Sequence, residues 1–493
     1  MDTLTTVSDF IWNPLAYFAL AVGAFFTFIT RGVQFRRLPD MIRQLRQSKT
    51  GDGSLSSFQT LALTLSSRVG VGSIAGVATA IAAGGPGALL WLFITGLLGS
   101  TCAYAEAVLA QTFKRRIRGE DRGGMPYYIR YGLKAPGLAA TIAFTAMIGY
   151  GFVFPGIQAN NIASSVDQAF NLDPWVTGLA VTGVLAIVVV GGTRRVVQVA
   201  QTVVPFMAVG YLLVAAVLIG ANISEVPEAL RVIVMAGMGT DQLFGGLIGF
   251  AVAWGVRRAV FASATGFGEG TFSAAAADAT HPGKQGIIQA FSIYIDLFLI
   301  CTATGLMIIL TNSYNVTDPD GGFIVEFAPG MVAGPNHVQQ AIDTTFGGFG
   351  SIFVALAVLL FAFTSQVFFF YVATTNLIFL LGEKSNRFLE GIIKVGALAI
   401  SFIGAVISAD AIWAAGDIGY ALLAWMNMFA VLLLTPVVRK IVRDYDAQRK
   451  AGVDPVFDPG KLDIKGAEWW ETVFRERLEE REDEDPEKQP SPR

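Results

Sequence analysis

Residues 60–83 read TLALTLSSRVGVGSIAGVATAIAA, and this stretch decides how the rest of the chain is interpreted. It is long and apolar enough to cross a bilayer, for which about twenty residues suffice. Its middle, from Ser66 to Ser73, nevertheless holds three serines, one arginine and two glycines two residues apart. This composition predicts that the helix unwinds there. The alternative is a continuous helix whose glycines only allow close packing against a neighbour.

The composition of the whole chain is typical of a membrane protein. Of its 493 residues, 53% are hydrophobic and only 15% are charged, compared with about 25% charged residues in soluble domains. The sequence therefore predicts an all-α polytopic membrane protein with about eleven transmembrane helices. The two cysteines lie in apolar stretches, so no disulfide framework is expected. No histidine and no Glu-x-x-His or Gly-x-Ser-x-Gly motif lies in a predicted span, so an enzyme is not expected.

Basic residues alternate between the predicted loops. The predicted spans are 10–30, 60–83, 88–112, 138–163, 176–190, 203–220, 243–277, 287–310, 351–381, 391–407 and 421–436, with an amphipathic piece at 226–238. Arginine and lysine follow the odd-numbered spans, as at 31–49 and 114–122. By the positive-inside rule, the N-terminus is outside and the C-terminus cytoplasmic. The acidic end, 481–493, is predicted to be disordered.

A second span is interrupted in the same way as the first. Within 243–277, residues 261–270 read FASATGFGEG. The two interrupted spans are the second and the seventh, and an offset of five forces them to cross the membrane in opposite directions. We therefore predict an inverted five-plus-five repeat, with units at 56–222 and 223–441, an extra first helix and basic loop at 1–55, and a charged cytoplasmic tail at 442–493. Glycine-interrupted segments at matching positions of two halves indicate a secondary transporter.

Several motifs also resemble those of a known family. They are GVGSIAGVATAI at 70–81, GGPG at 84–87, Glu106, GGMPYY at 123–128, Gln158 with Asn160, Ile-Asp at 295–296 before Cys-Thr at 301–302, FAFTS at 361–365 and DIKG at 463–466. Together they resemble the alanine or glycine:cation symporter family, the sodium:alanine symporters, over nearly the whole chain. The resemblance implies a leucine-transporter fold, alanine or glycine as substrate, and Na⁺ as the coupling ion, with no cofactor.

The departures from the family pattern fall at its binding site. Arg68 stands where the family has a small polar residue, and Ser73 where it has Asn. At 261–268 the family pattern F-S-N-E-A-G-x-G has lost both its Asn and its Glu, and Phe368-Phe369 replaces a Gly-Trp pair. The resemblance therefore implies the fold more directly than it implies the substrate or the ion.

An amino-acid substrate needs donors for its carboxylate and acceptors for its ammonium group. Free N–H groups at the start of the outer half-helix suit the carboxylate, and free carbonyls at 261–265 suit the ammonium. Phenylalanines above them, including Phe267, would limit the side chain, although filling the core is their alternative role. The predicted substrate site comprises Gly70, Gly72, Ser73, Ile74, Phe261, Ser263, Gly266, Ser365 and Phe369.

The predicted cation site, or its replacement, comprises Ser67, Arg68, Thr364 and Ser365. The resemblance places Thr364 and Ser365 at positions that hold sodium in this fold, and hydroxyl and carbonyl oxygens suit a hard cation. Their alternative is a hydrogen bond to their own helix backbone.

Arg68 has three competing interpretations, because a charge at membrane depth indicates function. It replaces the sodium ion, it binds an anionic group by bidentate contact, or it pairs with Glu106, Glu269 or Asp296 and is structural. Asp296 and Glu269 are candidates for charge coupling. Arg258, beside the second break, is expected to be structural or part of a gate.

The sequence thus predicts a secondary active transporter of small neutral amino acids, working by alternating access as a monomer in the lipid bilayer of a cell (inner) membrane, without a nucleic-acid partner. One alternative is a sodium-independent or H⁺-coupled carrier of a different solute, including an anionic one, with Arg68 replacing the cation. Another is a non-transporting solute sensor. A channel is disfavoured, because no ring of charges or filter-like repeat is seen.

Overall fold

The computed structural model of the protein describes residues 2–44, 55–382 and 387–484. Part of the first basic loop, 45–54, and most of the end predicted to be disordered, 485–493, lie outside the described residues. The helices are Asp2–Ile29, Val33–Arg36, Leu38–Gln44, Ser57–Arg68, Val77–Gly84, Gly87–Thr112, Met125–Tyr131, Pro136–Phe152, Phe154–Phe170, Pro174–Val190, Gly192–Ala221, Val226–Gly237, Ile248–Ser263, Gly270–Ala276, Pro282–Ile293, Thr302–Leu310, Pro335–Phe346, Phe349–Leu381, Arg387–Val406, Ala409–Leu433, Thr435–Lys450, Glu468–Glu471 and Val473–Glu484, with π-helical turns at Gly72–Gly76 and Tyr294–Cys301 and a 3₁₀ turn at Gly245–Leu247.

The predicted polytopic helical membrane protein is confirmed, but the count of eleven spans is not. In the described ranges, nine helices are long and apolar enough to cross a membrane, or ten if the bent pair Ser57–Arg68 and Gly72–Gly84 is one span. Pro174–Val190, at the predicted fifth span, is apolar but has only 17 residues. The eleventh span therefore stays a prediction.

Two short antiparallel hairpins add strands that the sequence analysis did not predict. Arg115–Ile117 pairs with Glu120–Arg122, and Asn315–Thr317 pairs with Phe323–Glu326. Both lie outside the spanning helices. The second lies between the predicted eighth and ninth spans, in a segment that also contains the helix Pro335–Phe346.

The first predicted break is present. The helix starts with a capping box, in which the Ser56 side chain accepts from the Gln59 amide and the Gln59 side chain accepts from the Ser56 amide. It ends at Arg68, and the chain resumes at Gly72 in a π-helical turn with a bend of 53°. We call Ser57–Arg68 with Gly72–Gly84 the first broken helix. The continuous-helix alternative is wrong.

The second predicted break is also present. Ile248–Ser263 ends before Ala264, which has a φ of 52°, and Gly266 and Gly268 have φ values of 89° and 74°. Left-handed backbone cannot continue a right-handed helix, so the helix is interrupted here and resumes at Gly270. We call Ile248–Ser263 with Gly270–Ala276 the second broken helix.

The two broken helices run in opposite directions, as their odd offset predicts. Where the first broken helix starts and the second ends, the Leu55 amide donates to the carbonyl of Ala276 (2.9 Å). The Asp278 amide donates to the carbonyl of Leu55 (2.8 Å). At the other end, a Cβ on Gly84 would lie 3.0 Å from the Cα of Ala251. The start of each broken helix therefore lies beside the end of the other. The inverted repeat and its boundaries stay predictions.

Candidate substrate and cation site

The two breaks contact each other directly. A Cβ on Gly72 would lie 2.7 Å from the Cα of Ala262 and 3.0 Å from Cδ1 of Phe261. Only glycine allows such an approach to a backbone atom. Gly72 and Phe261, predicted from separate spans, are therefore brought together, and the space between the breaks is small.

Ser365 closes a third side of this junction. Its Oγ lies 3.0 Å from the carbonyl oxygen of Ser66 and 3.5 Å from that of Ser67, and also 3.0 Å from the Phe361 carbonyl of its own helix. A Cβ on Gly70 would lie 2.6 Å from Ser365 Oγ. Thr364 instead donates to the carbonyl of Phe361 (3.0 Å). Ser365 therefore joins the first break, whereas Thr364 takes its alternative role.

Two of the amides predicted to be free are not free. The amide of Gly70 donates to the carbonyl of Arg68 (2.9 Å), and that of Ser73 to the carbonyl of Gly70 (3.2 Å). The amide of Val71 donates to Oε1 of Gln158 (3.4 Å). The prediction of open donors at Gly70 and Ser73 is therefore wrong for this conformation, because the unwound turn closes on itself.

The other predicted members of the substrate site separate into two groups. Ile74 is fully buried beside the first break. Ser263 Oγ donates to the carbonyl of Ala259 (2.6 Å) and lies 2.7 Å from Thr265 Oγ1. The carbonyl of Gly266 accepts from Nδ2 of Asn427 (2.8 Å). Ser263 therefore stabilises the second break from within, whereas Gly266 ties it to the helix Ala409–Leu433.

Aromatic rings surround the junction. Phe261 packs 5.2 Å from Trp413 and 4.9 Å from Tyr420, between ring centroids. Phe267 also packs against Tyr420 (4.8 Å), and Phe369 packs against Tyr150 (5.3 Å). The sequence analysis named the three phenylalanines but missed the tyrosines and Trp413. Trp413 and Tyr420 lie before the predicted eleventh span, in a helix whose Gly-Asp-Ile-Gly at 416–419 was a polar signal that the sequence analysis did not use.

The Arg68 guanidinium points to a neighbouring helix. Its Nη1 donates to the carbonyl of Gln289 (3.0 Å) and to Ser292 Oγ (2.5 Å). Its side chain is 1% exposed, and neither Nε nor Nη2 has a hydrogen-bond partner in the described part of the chain. No carboxylate among the described residues lies within 4.0 Å of it, so the predicted ion pair with an acidic neighbour is wrong. The guanidinium does not contact Thr364 or Ser365.

Three buried carboxylates nevertheless share the electrostatic surroundings of Arg68: Glu106, Asp296 and Glu269. Asp296 Oδ1 accepts from Ser73 Oγ (2.6 Å), Glu269 Oε2 accepts from the Tyr150 hydroxyl (2.8 Å), and Glu106 Oε1 accepts from Asn427 Nδ2 (2.6 Å). Oδ2 of Asp296 and Oε2 of Glu106 have no partner among the described residues. Glu106 entered the sequence analysis only as part of a motif and as a possible partner of Arg68.

An ion-paired cluster covers one side of the junction. Asp417 accepts from Arg257 (2.6 Å) and Arg258 (3.4 Å), and Arg257 also pairs with Asp9 (2.7 Å). The Arg258 guanidinium lies 4.6 Å from the centroid of Trp413. A cavity of about 350 Å³ borders Arg257 on the other side. Arg258 therefore has an ion-pair partner, Asp417, that the sequence analysis missed, and its role as a structural or gating residue stays a prediction.

Comparison with known proteins decides the family. The model of the sodium:alanine symporter family matches residues 1–459. The chain belongs to this family. The family is one of transporters, so the chain is not an enzyme, as predicted.

Relatives cover nearly the whole chain. The putative sodium/proton-dependent alanine carrier protein YrbD of Bacillus subtilis is 41% identical over 97% of this chain and 99% of its own. The sodium/proton-dependent alanine carrier protein of Bacillus sp. PS3 is 42% identical over 90% of this chain and 99% of its own. Among solved structures, a manganese transporter mutant of Eremococcus coleocola covers 85% of this chain and 84% of its own, with 13% identity and a TM-score of 0.49.

Proposed function

We propose that the protein is a symporter that moves a small neutral amino acid, alanine or glycine, together with a cation by alternating access. The contact of Gly72 with Phe261 and Ala262 carries this proposal. It brings the two interrupted helices against each other beside the rings of Trp413 and Tyr420, and so close an approach favours a small substrate. The relatives named as alanine carriers support the same substrate class.

The charges around Arg68 support coupling to a cation. One guanidinium and three carboxylates, if all are ionised, leave the buried cluster two positive charges short. Uncompensated charge inside a membrane is expensive, so bound cations or protons must neutralise the difference. In the described ranges, no three acidic, histidine or cysteine side chains are grouped to hold one metal ion. Protons or singly charged ions such as Na⁺ would supply this neutralisation.

The unpartnered edge of Arg68 favours a second candidate. Nε and Nη2 together form the edge of a guanidinium that binds a carboxylate with two parallel hydrogen bonds. In this second candidate, the guanidinium permanently replaces the sodium ion, so the carrier works without sodium. Its substrate is a different solute, which can be anionic. The two candidates differ in the ion that drives uptake.

Uptake of labelled alanine into proteoliposomes separates them. An imposed sodium gradient, a proton gradient and no gradient are compared for the natural protein and for Arg68→Thr. We expect the natural protein to accumulate alanine when a gradient is imposed. In the cell membrane, we expect its C-terminus to lie on the cytoplasmic side. Sodium-driven uptake by the natural protein would contradict the second candidate. Uptake indifferent to sodium that becomes sodium-dependent in Arg68→Thr would support it.

A matched control removes an arginine far from the cluster. Arg231→Gln breaks an exposed pair with Glu228 and is expected to leave uptake unchanged, since such pairs contribute little. If no neutral amino acid accumulates under any gradient while the protein stays folded, the proposed function is wrong. Uptake of an acidic amino acid alone would then support the second candidate.

A further inference from the structure

The segment that follows the helix Thr435–Lys450 is packed against the membrane-spanning helices. The sequence analysis predicted a charged cytoplasmic tail at 442–493, and within it Trp469 and Trp470 are only 1% and 2% exposed. We call residues 454–478 the tail latch. Burial of two adjacent tryptophans removes more apolar surface from water than almost any other pair of side chains. The tail latch is therefore held by specific contacts, and these contacts show what it holds.

The two tryptophans contact the end of the helix Gly87–Thr112 and the hairpin formed by Arg115–Ile117 and Glu120–Arg122. Trp470 Nε1 donates to the carbonyl of Gln111 (2.9 Å), and Trp469 Nε1 donates to Oδ1 of Asp121 (2.9 Å). The buried ammonium of Lys114 lies 3.6 Å from the ring centroid of Trp469. The same ammonium donates to the carbonyl of Ala277 (2.9 Å), which directly follows the second broken helix.

The start of the tail latch holds the connection between the second broken helix and the next helix, Pro282–Ile293. The amide of Phe457 donates to the carbonyl of Thr280 (2.8 Å), and the Thr280 hydroxyl donates to Pro455 (2.8 Å). Asp454 pairs with Lys284 at 2.6 Å. The bridge between Leu55 and the 276–278 segment extends this connection to the start of the first broken helix. The ends of both broken helices on this side are thus tied to one segment.

We infer that the tail latch closes the transport pathway on the side of the basic loops and must undock before the substrate site opens there. This inference rests on the proposed function, since an alternating-access carrier has to separate the ends of its broken helices on one side. The ion-paired cluster of Arg257, Arg258 and Asp417 lies on the other half of the second broken helix, Ile248–Ser263.

Thiol accessibility tests the inference without requiring transport. In a background with Cys102→Ala and Cys301→Ala, Ser273→Cys places a thiol in the buried inner half of the second broken helix. A membrane-impermeant maleimide is added to one side of proteoliposomes at a time, without alanine. With Trp469→Ala/Trp470→Ala, the labelling rate from the tail side is expected to rise at least about tenfold, the factor for losing one buried aromatic side chain.

Two further variants keep the test decisive. Trp175→Ala removes a tryptophan that is 54% exposed elsewhere and is expected to leave labelling unchanged. If the double variant does not fold, Asp454→Asn loosens the tail latch at the pair of an exposed aspartate with the buried Lys284 and is expected to raise labelling about two- to threefold. Unchanged labelling in a folded tail-latch variant would overturn the inference. Increased labelling with no uptake of any amino acid would retain the tail latch and contradict the proposed function.

Discussion

Alanine substitutions at three neighbouring glycines test the geometry of the first break. A Cβ on Gly76 would meet only Arg258 Cδ, at 3.8 Å, which is ordinary contact. On Gly70 it would lie 2.6 Å from Ser365 Oγ, and on Gly72 it would lie 2.7 Å from a backbone atom, the Cα of Ala262. We therefore expect Gly76→Ala to behave like the natural protein, Gly70→Ala to be impaired, and Gly72→Ala to be impaired most.

The magnitude follows from the cost of overpacking a close contact. Inserting one methyl group into a packed interior costs about 1–3 kcal/mol, and about 1.4 kcal/mol corresponds to a factor of ten. Gly70→Ala should therefore lose roughly 5- to 150-fold in uptake of labelled alanine, or show a matching decrease in thermal stability in detergent. Gly72→Ala should lie at or beyond the upper end, because a backbone atom cannot rotate away.

A second substitution separates the two kinds of clash. Ser365→Ala removes the Oγ atom that a Cβ on Gly70 would meet, so Gly70→Ala/Ser365→Ala should be more thermally stable than Gly70→Ala alone. The same change should not rescue Gly72→Ala, and the double-mutant cycle measures this difference directly. Equal stability of the Gly70, Gly72 and Gly76 variants would refute the reasoning, because the breaks would then not meet as described.

Three further predictions address the rest of the site. Ser73→Ala removes the donor to Asp296 and should reduce gradient-driven uptake by about 10- to 100-fold. The control Thr79→Val should retain uptake, because the Thr79 hydroxyl bonds the Gly76 carbonyl of its own helix. Equal uptake by both variants would contradict the role of Ser73. Asp417→Asn leaves Arg257 and Arg258 without a full counter-charge and should lower the free energy of unfolding by about 3–5 kcal/mol. Thermal unfolding measures this loss against the control Asp343→Asn in the helix Pro335–Phe346. Equal melting temperatures of the two variants would contradict the prediction. Burial lowers the pKa of Lys114 from 10.5 to about 8, so the undocked lysine binds more protons between these values. The tail latch should therefore dock more tightly as the pH rises from about 8 to 10.5, with no such change in Lys114→Met; resistance to chymotrypsin that falls over this range would contradict the prediction.

Local composition predicted the membrane-spanning helices and both breaks. The serines and glycines at 66–73 and 261–270 interrupt apolar stretches, and a few neighbouring residues decide whether backbone groups can stay helical in hydrocarbon. The opposite directions of the two broken helices also followed, because their offset of five spans is a property of chain order alone. These features depend on interactions between residues that are close in sequence.

The tertiary structure alone decided the partners of the charged groups. Arg68 bonds Gln289, 221 residues away, and Trp470 bonds Gln111, 359 residues away. The sequence analysis left three interpretations of Arg68 open and named neither Gln289 nor Ser292, and it gave the charged tail no contact with the bundle. Apolar periodicity shows that a side chain is buried but not which helix lies against it. That choice is made by the packing of the whole bundle, in which the same buried charge finds a carbonyl, a hydroxyl or a carboxylate according to the rotation of its neighbours.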